Sequence, residues 1–526
     1  MVIRSPFPDV TIPNIPLHEL VLSAAADRPD KPAFIDGPTG ATITYGELAG
    51  MVDRLAAALA ERGIRKGDVV GIFSPNTPYY AVVFHGVLRA GAAATTINAL
   101  YTAQEVAEQL RDSGARILFT VSPLLERAEA AAAEAGISEV VVMDPVEGRT
   151  SLRDLLTTTA PTPQVEIDPA EDLAVLPYSS GTTGRAKGVM LTHRNLVANI
   201  MQCQPMMTET GPDTRLLAVL PFFHIYGMQV VMNHPLYLGA TVVTMPKFDL
   251  AEFCRLISEH KITRVYIAPP VAVALAKHPM VDSYDLSSLK VLFSGAAPLD
   301  TELATAVRKR LGCVVRQGYG MTEMSPVSHT IPDDRDDIPL GTVGVAIPNM
   351  ECKIVDPATG REVGVGEPGE LWCRGPNVMK GYLNNPEATA ATLDADGFLH
   401  TGDVAVVDEN GYFTIVDRVK ELIKYKGYQV PPAELEALLL THPKIADAAV
   451  IGVRDDEGEE VPKAFVVRQP GAEDLTEQAV MDFVASQVAP HKKVRVVEFV
   501  DAIPKSAAGK ILRKDLRQRE AGAATG

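Results

Sequence analysis

Short apolar, β-branched runs alternate with helix-length segments along much of this chain, and no other feature narrows its folding options so far. Val69–Phe73 and residues 117–121 have the texture of buried strands, and residues 102–113 between them carry apolar side chains at helical spacing. The pattern returns as a strand at 242–245, a helix at Leu250–His260 and strands at 264–268 and 291–293. Strands separated by helices cannot pair as hairpins, so the sequence predicts α/β architecture, with helices on the faces of parallel sheets. Residues 87–92 and 235–240 echo each other as helix end, glycine stop and strand, which suggests two similar α/β lobes.

A chain of 526 residues is too long for one hydrophobic core, so at least one satellite domain is expected. Its net charge of −17 disfavours broad binding to nucleic acid or anionic membranes. Five cysteines, Cys203, Cys254, Cys313, Cys352 and Cys373, form no CxxC pair and suit scattered thiols in a reducing compartment. Residues 1–16 contain four prolines and no signal-type apolar run, and the last three residues are not a peroxisomal address, so the cytoplasm is expected. Residues 216–246 lack Asp, Glu, Lys and Arg, but Pro221, Pro235, Gly239 and two histidines interrupt them. The stretch therefore reads as strand, loop, buried helix and strand, not as a membrane span.

After about residue 348 the texture changes to short strands and glycine turns, as in an antiparallel β region. A tail of about a hundred residues follows, with helices at 432–441 and 476–488 and strands at 448–453 and 464–468, enough for an autonomous α+β unit. The expected division is an N-terminal domain over 1–416, a hinge over 417–420 and a mobile C-terminal domain over 421–526.

Two distant segments carry the strongest chemical signal. Residues 179–188 read Ser-Ser-Gly-Thr-Thr-Gly-Arg-Ala-Lys-Gly, and residues 504–510 read Pro-Lys-Ser-Ala-Ala-Gly-Lys. Glycines admit backbone N–H groups to phosphates, Ser179, Ser180, Thr182 and Thr183 add hydroxyls, and Lys187 adds charge. The loop is not a Walker motif, and taken alone it could be an ordinary turn. Thr322 and Glu323 offer a hydroxyl and a hard carboxylate, suited to Mg²⁺ on a nucleotide and equally to a helix cap. Asp403 can accept ribose hydroxyls and Arg418 can donate to them, or they can be a turn aspartate and a surface ion pair.

With Tyr319-Gly320-Met321-Thr322-Glu323, Thr401-Gly402-Asp403 and Asp417-Arg418-Val419-Lys420, these segments resemble the ordered motifs of the adenylate-forming superfamily over nearly the whole chain. Arg4 to Asp9, Phe223-His224-Ile225-Tyr226 and Ser294-Gly295-Ala296-Ala297-Pro298-Leu299 resemble 4-coumarate:CoA ligases within it. The resemblance implies ATP, Mg²⁺ and CoA as reaction partners of a small carboxylic acid, with no obligate protein partner evident. It implies that Ser179, Ser180, Gly181, Thr182, Thr183, Lys187, Gln317, Gly318, Tyr319, Thr322, Asp403, Arg418 and Lys420 hold ATP or AMP, with Glu323 on the metal. Lys510 would serve adenylation. After the C-terminal domain turns, Lys424 would serve thioester formation and Lys426 and Gly427 would face CoA. His224 would gate the carboxylate and thiol path, and Lys247 would touch CoA.

Tyr226, Ala296, Gly320, Pro326 and Val327 fall on positions that line the acyl pocket in 4-coumarate:CoA ligases. Small residues and one flat aromatic suit a planar phenylpropenoate. Phe293 departs from the plant pattern, which commonly has lysine there, so cinnamate and 4-coumarate are both expected substrates. No aspartate in 222–227 could pair an α-ammonium, which disfavours amino acids. Medium-chain fatty acids and other aryl acids stay open. A non-catalytic adenylate sensor also stays open, although it would have little need of Lys510.

Overall fold

Helix starts are written into the turns that precede them. Thr44, Thr102 and Thr192 each accept a hydrogen bond from the backbone N–H three residues on, and Glu47, Glu105 and Asn195 reach back to the capping residue. Tyr45–Glu61, Ala103–Ser113 and His193–Cys203 are the helices so begun. The computed structural model describes residues 2–179, 186–208, 210–425, 428–455, 460–507 and 509–523.

Two large sheets form the body. One is ordered Gly381–Tyr382, Lys187–Thr192, Leu173–Val175, Ala93–Ile97, Val69–Phe73, Ala115–Thr120, Val140–Val142, and its last four strands run parallel. The other has six parallel strands at its centre: Val314–Gly320, Val291–Ser294, Arg264–Ile267, Arg215–Ala218, Thr241–Thr244 and Pro32–Asp36. Strands such as Val69–Phe73 and Thr241–Thr244 are buried at every position, as sheets covered on both faces require. The expected α/β class and paired lobes are what the chain forms.

The charge-free stretch gives strand Arg215–Ala218, a loop, helices Tyr226–Asn233 and His234–Tyr237, and strand Thr241–Thr244. Tyr226–Asn233 is wound as a π-helix, a form that recurs at functional sites. Only glycine fits at 227, because a Cβ would stand 2.1 Å from the Pro221 carbonyl oxygen. Among the described residues no helix is long and apolar enough to cross a membrane.

The antiparallel region is a five-stranded sheet ordered Ile3–Arg4, Glu351–Val355, Gly369–Arg374, Leu399–Val407, Phe413–Arg418. Beyond it, a hairpin of Ile423–Tyr425 with Tyr428–Val430 precedes a sheet of Ile445–Arg454, Glu460–Arg468 and Val496–Phe499. Helices Pro432–Thr441, Glu477–Ala485 and Arg513–Ala523 accompany that sheet. Ile423, Leu435, Leu439, Val450, Val466, Val480 and Val497 pack there as an apolar core separate from the body's. At the junction, the buried Asp417 carboxylate accepts from the backbone N–H of Ala433, in the first turn of Pro432–Thr441, at 2.8 Å.

Candidate active site

Parallel strands end where a crevice can form, and strand Val314–Gly320 brings four predicted residues to such an edge. Gln317 is buried. Its oxygen accepts from the Leu299 N–H at 3.1 Å and its amide donates to the Leu299 and Leu340 carbonyls, so the side chain pins neighbouring loops. A Cβ on Gly318 would sit 2.7 Å from the His329 carbonyl oxygen and 2.9 Å from the Phe293 ring, so only glycine permits this packing. The Tyr319 hydroxyl donates to Asp403 Oδ2. Asp403 Oδ1 lies 3.4 Å from Arg418 Nε, the two residues facing each other across Leu399–Val407 and Phe413–Arg418. A buried carboxylate held by one hydroxyl and one guanidinium suits a vicinal diol, whose hydroxyls donate to the same oxygens.

Glu323 sits in the short turn Thr322–Met324 and is buried. Its Oε1 accepts from the Ser179 hydroxyl at 3.0 Å and from the Tyr382 hydroxyl at 2.8 Å. Both donors point at one oxygen, which leaves Oε2 for a hard cation. The Lys187 ammonium stands 4.8 Å from the centre of the Tyr382 ring, which brings it to the same spot. Among the described residues no three His, Cys, Asp or Glu side chains gather around a metal position. A single buried carboxylate such as Glu323 is a donor of the kind Mg²⁺ takes when phosphate oxygens complete its shell.

Lys510 arrives from the other unit. Its backbone N–H donates to the Ser506 hydroxyl at 3.1 Å, the Ser506 N–H donates back to the Lys510 carbonyl at 2.8 Å, and Gly509 turns between them with φ of +81°. The loop lies on the body closely enough that a Cβ at Gly509 would be 2.7 Å from that of Ala268. Burial and then the Arg418 charge push the Lys510 pKa down to about 8, against opposing pulls from Asp403 and Glu323. His224 is held down at about 4 by burial and then by the Lys510 charge, so it is a neutral imidazole. Its Nδ1 accepts from the Tyr226 N–H at 3.2 Å, which leaves Nε2–H as a donor. One cationic side chain is thus brought within electrostatic reach of His224, Asp403, Arg418 and Glu323.

Around Tyr226 the chain is stripped of side chains. A Cβ on Gly295 would stand 2.8 Å from the Tyr226 hydroxyl, Ala296 has φ of +70°, and a Cβ on Gly320 would meet the Pro326 carbonyl oxygen at 2.1 Å. Pro326 is buried and Val327 half-buried beside them. The Tyr226 and Ser294 hydroxyls are buried with no hydrogen-bond partner among the described residues. Orphan hydroxyls in an apolar setting are costly unless a ligand meets them. Phe293 packs against Tyr266 with the rings tilted by 48° and their centres 5.5 Å apart.

Not every predicted residue converges. Lys247, Lys420 and Lys424 are exposed, and the Lys424 N–H donates to Glu460 at 2.8 Å. Ser180, Gly181, Thr182, Thr183, Lys426 and Gly427 lie outside the described residues. Tyr382 and Ser294 were not singled out for the site from sequence. Tyr382 reaches Glu323 across 59 positions and no local pattern marks it. Ser294 does sit in the Ser-Gly-Ala-Ala-Pro run, a position that could have been examined.

A model of the AMP-binding enzyme family matches residues 22–383, and one of the AMP-binding enzyme C-terminal domain matches residues 434–510. The chain belongs to the AMP-binding enzyme family. As this AMP-binding enzyme, it is 44% identical over 528 residues to 4-coumarate–CoA ligase 3 of Oryza sativa subsp. japonica, covering 99% of this chain and 95% of that one. It is 44% identical over 530 residues to 4-coumarate–CoA ligase 3 of Arabidopsis thaliana, covering 98% and 94%. Among solved structures, an anthranilate CoA ligase, AuaEII, in complex with anthranoyl-AMP superposes with a TM-score of 0.90 at 28% identity, covering 98% of this chain and 99% of that one. ATP-bound MatB from Rhodopseudomonas palustris gives 0.85 at 31% identity, covering 96% and 99%.

Proposed function

We propose that this AMP-binding enzyme is an ATP-dependent carboxylic acid:CoA ligase, an acid–thiol ligase that takes 4-coumarate or cinnamate. The observation that carries the reading is Lys510, half-buried within electrostatic reach of His224, Asp403, Arg418 and Glu323. Full-length likeness to several enzymes named 4-coumarate–CoA ligase supports the acid class.

In the first half-reaction, a carboxylate oxygen attacks the α-phosphorus of ATP and the bond to pyrophosphate breaks. Lys510 meets the negative charge that builds there. Asp403 and Arg418 hold the ribose, Tyr319 orients Asp403, and Ser179 and Lys187 flank the phosphates with Ser180, Gly181, Thr182 and Thr183. Glu323 would hold Mg²⁺, whose charge offsets that of the phosphates. In the second half-reaction, the CoA sulfur attacks the acyl carbon, the bond to AMP breaks and the thiol proton leaves. Turning about 417–420 would withdraw Lys510 and present Lys424, Lys426 and Gly427 from the domain over 421–526, with Lys247 receiving CoA on the body.

The scarcity of side chains at Gly295, Ala296 and Gly320, with Tyr226 against Gly295, supports a flat aromatic acid. The apolar Phe293 supports acceptance of rings with or without a hydroxyl. The protein is expected in the cytoplasm. A panel of cinnamic, 4-coumaric, benzoic, octanoic and amino acids, scored for CoA-dependent AMP formation, tests the proposal. Cinnamic and 4-coumaric acids should lead; turnover led by octanoic acid would replace the substrate assignment, and AMP release without CoA consumption would overturn the ligase reading.

A further inference from the structure

The helix Pro269–Lys277 belongs to the body, yet the C-terminal unit touches it at both ends. At its start, Gly509 is pressed against Ala268 and comes within reach of Pro270, where an added Cβ would stand 3.9 Å from Cδ. At its end, the Lys277 ammonium donates to three backbone carbonyls of the other unit: Leu440 at 2.9 Å, Ile445 at 3.2 Å and His442 at 3.5 Å.

Those acceptors are not arbitrary. Leu440 lies in the last turn of Pro432–Thr441 and His442 is its C-cap. The final carbonyls of a helix lack partners within the helix and carry its partial negative charge, so an ammonium satisfies both deficits. Lys277 is half-buried, and the hydrogen bonds of its ammonium go to these backbone carbonyls. Its charge is committed to the facing helix end. Lys444, two residues past the His442 cap, pairs instead with Asp474.

A nine-residue helix spans roughly 13 Å. Two contacts that far apart fix a tilt, which a single contact cannot. We propose that Lys277 is a positioning residue, a latch that holds the C-terminal unit in the orientation where Lys510 enters the active site, and that it therefore serves the adenylate-forming half-reaction and not thioester formation. This inference rests on the acid:CoA ligase reading for its kinetic half. Its structural half stands alone: with the three hydrogen bonds gone, the polar contact at the far end of this helix is lost and the apolar one at Ala268 and Pro270 is left at the near end.

The test compares Lys277→Met, which keeps the length and loses the donors, with Lys277→Arg, which keeps the charge. Lys277→Met should lower acid-dependent ATP–pyrophosphate exchange about tenfold, as expected for loss of charge-assisted hydrogen bonds. Thioester formation from preformed cinnamoyl-adenylate and CoA should stay within about twofold of wild type, and Lys277→Arg should recover most of the exchange. In parallel, spin labels on Lys309→Cys and Gln478→Cys, both exposed, report the distance between the units. The Met variant should broaden that distribution where the wild-type background gives one narrow distance. Equal loss in both half-reactions, or unchanged exchange with an unchanged distance distribution, would overturn the latch. If wild-type protein gave no exchange with any acid, the ligase reading would fall, and the distance distribution would still decide whether Lys277 holds the units together.

Discussion

The two halves of the candidate site are built in opposite ways. On the body, Asp403, Tyr319 and Glu323 are fixed by hydrogen bonds to residues of their own domain, across strands and between sheets. On the C-terminal unit, Lys510 rides a short loop that folds on itself through Ser506 and meets the body at Ala268. The first half is a preformed receptor, and the second is a charge delivered by docking. The contrast teaches that, in the proposed reaction, nucleotide recognition and activation are carried by separate parts of one chain: the hydrogen bonds that hold Asp403 from Tyr319, and Glu323 from Ser179 and Tyr382, involve no residue of the tail.

The sharpest way to break this comparison is Lys510→Ala. Pyrophosphate exchange should fall by at least about a hundredfold, the scale of losing a charge aimed at the transition state. Conversion of preformed acyl-adenylate to thioester should persist, and a similar fall in both steps by stopped-flow would show that Lys510 is no delivered charge.

Next in size is Arg513→Met. Arg513 pairs with the buried Glu436 at 2.6 Å inside the C-terminal unit, and burial holds the Glu436 carboxyl above its usual range. Removing one partner of a buried pair costs about 3 kcal/mol. Without the guanidinium, Glu436 is favoured in its protonated form. A group whose folded pKa is raised contributes most at low pH, so the deficit should grow as pH rises past the ordinary carboxylate range. Calorimetry should show an early transition of the tail with the body unchanged; a uniform shift of the whole endotherm would argue that the two units melt as one.

The smallest effect belongs to Tyr319→Phe. It removes one hydrogen bond to Asp403 but leaves Arg418 in place, so KM for ATP should rise about fivefold to tenfold with little change in the second half-reaction. If KM for the acid moved instead, Tyr319 would belong to the acyl side.

Much of this scaffold was legible in the sequence because its signals are local. Helices Leu250–His260 and Pro432–Thr441 start and stop at the residues expected, the first with Asp249 as cap and the second with Pro432 in its first turn. Strand Val69–Phe73 is equally local. The π-winding of Tyr226–Asn233 was not legible, because apolar spacing over eight residues does not tell a π-turn from an α-turn. Ile3–Arg4 joins a sheet whose next strand, Glu351–Val355, lies far along the chain, and two residues are too short to signal a strand. The motifs located Lys510, Asp403, Arg418 and Glu323 because each sits in a dense run of chemistry-bearing residues. Tyr382 and Lys277 act through single side chains reaching across the fold, and nothing in their neighbours announces it.

Asp417 and Arg418 are consecutive, yet their side chains grip opposite bodies: Asp417 caps the first helix of the C-terminal unit, while Arg418 reaches Asp403 on the large one. If the proposed rotation is made at this peptide, it would have to release one grip before the next seat is found. Such a joint would work less like a swivel than like a switch with detents.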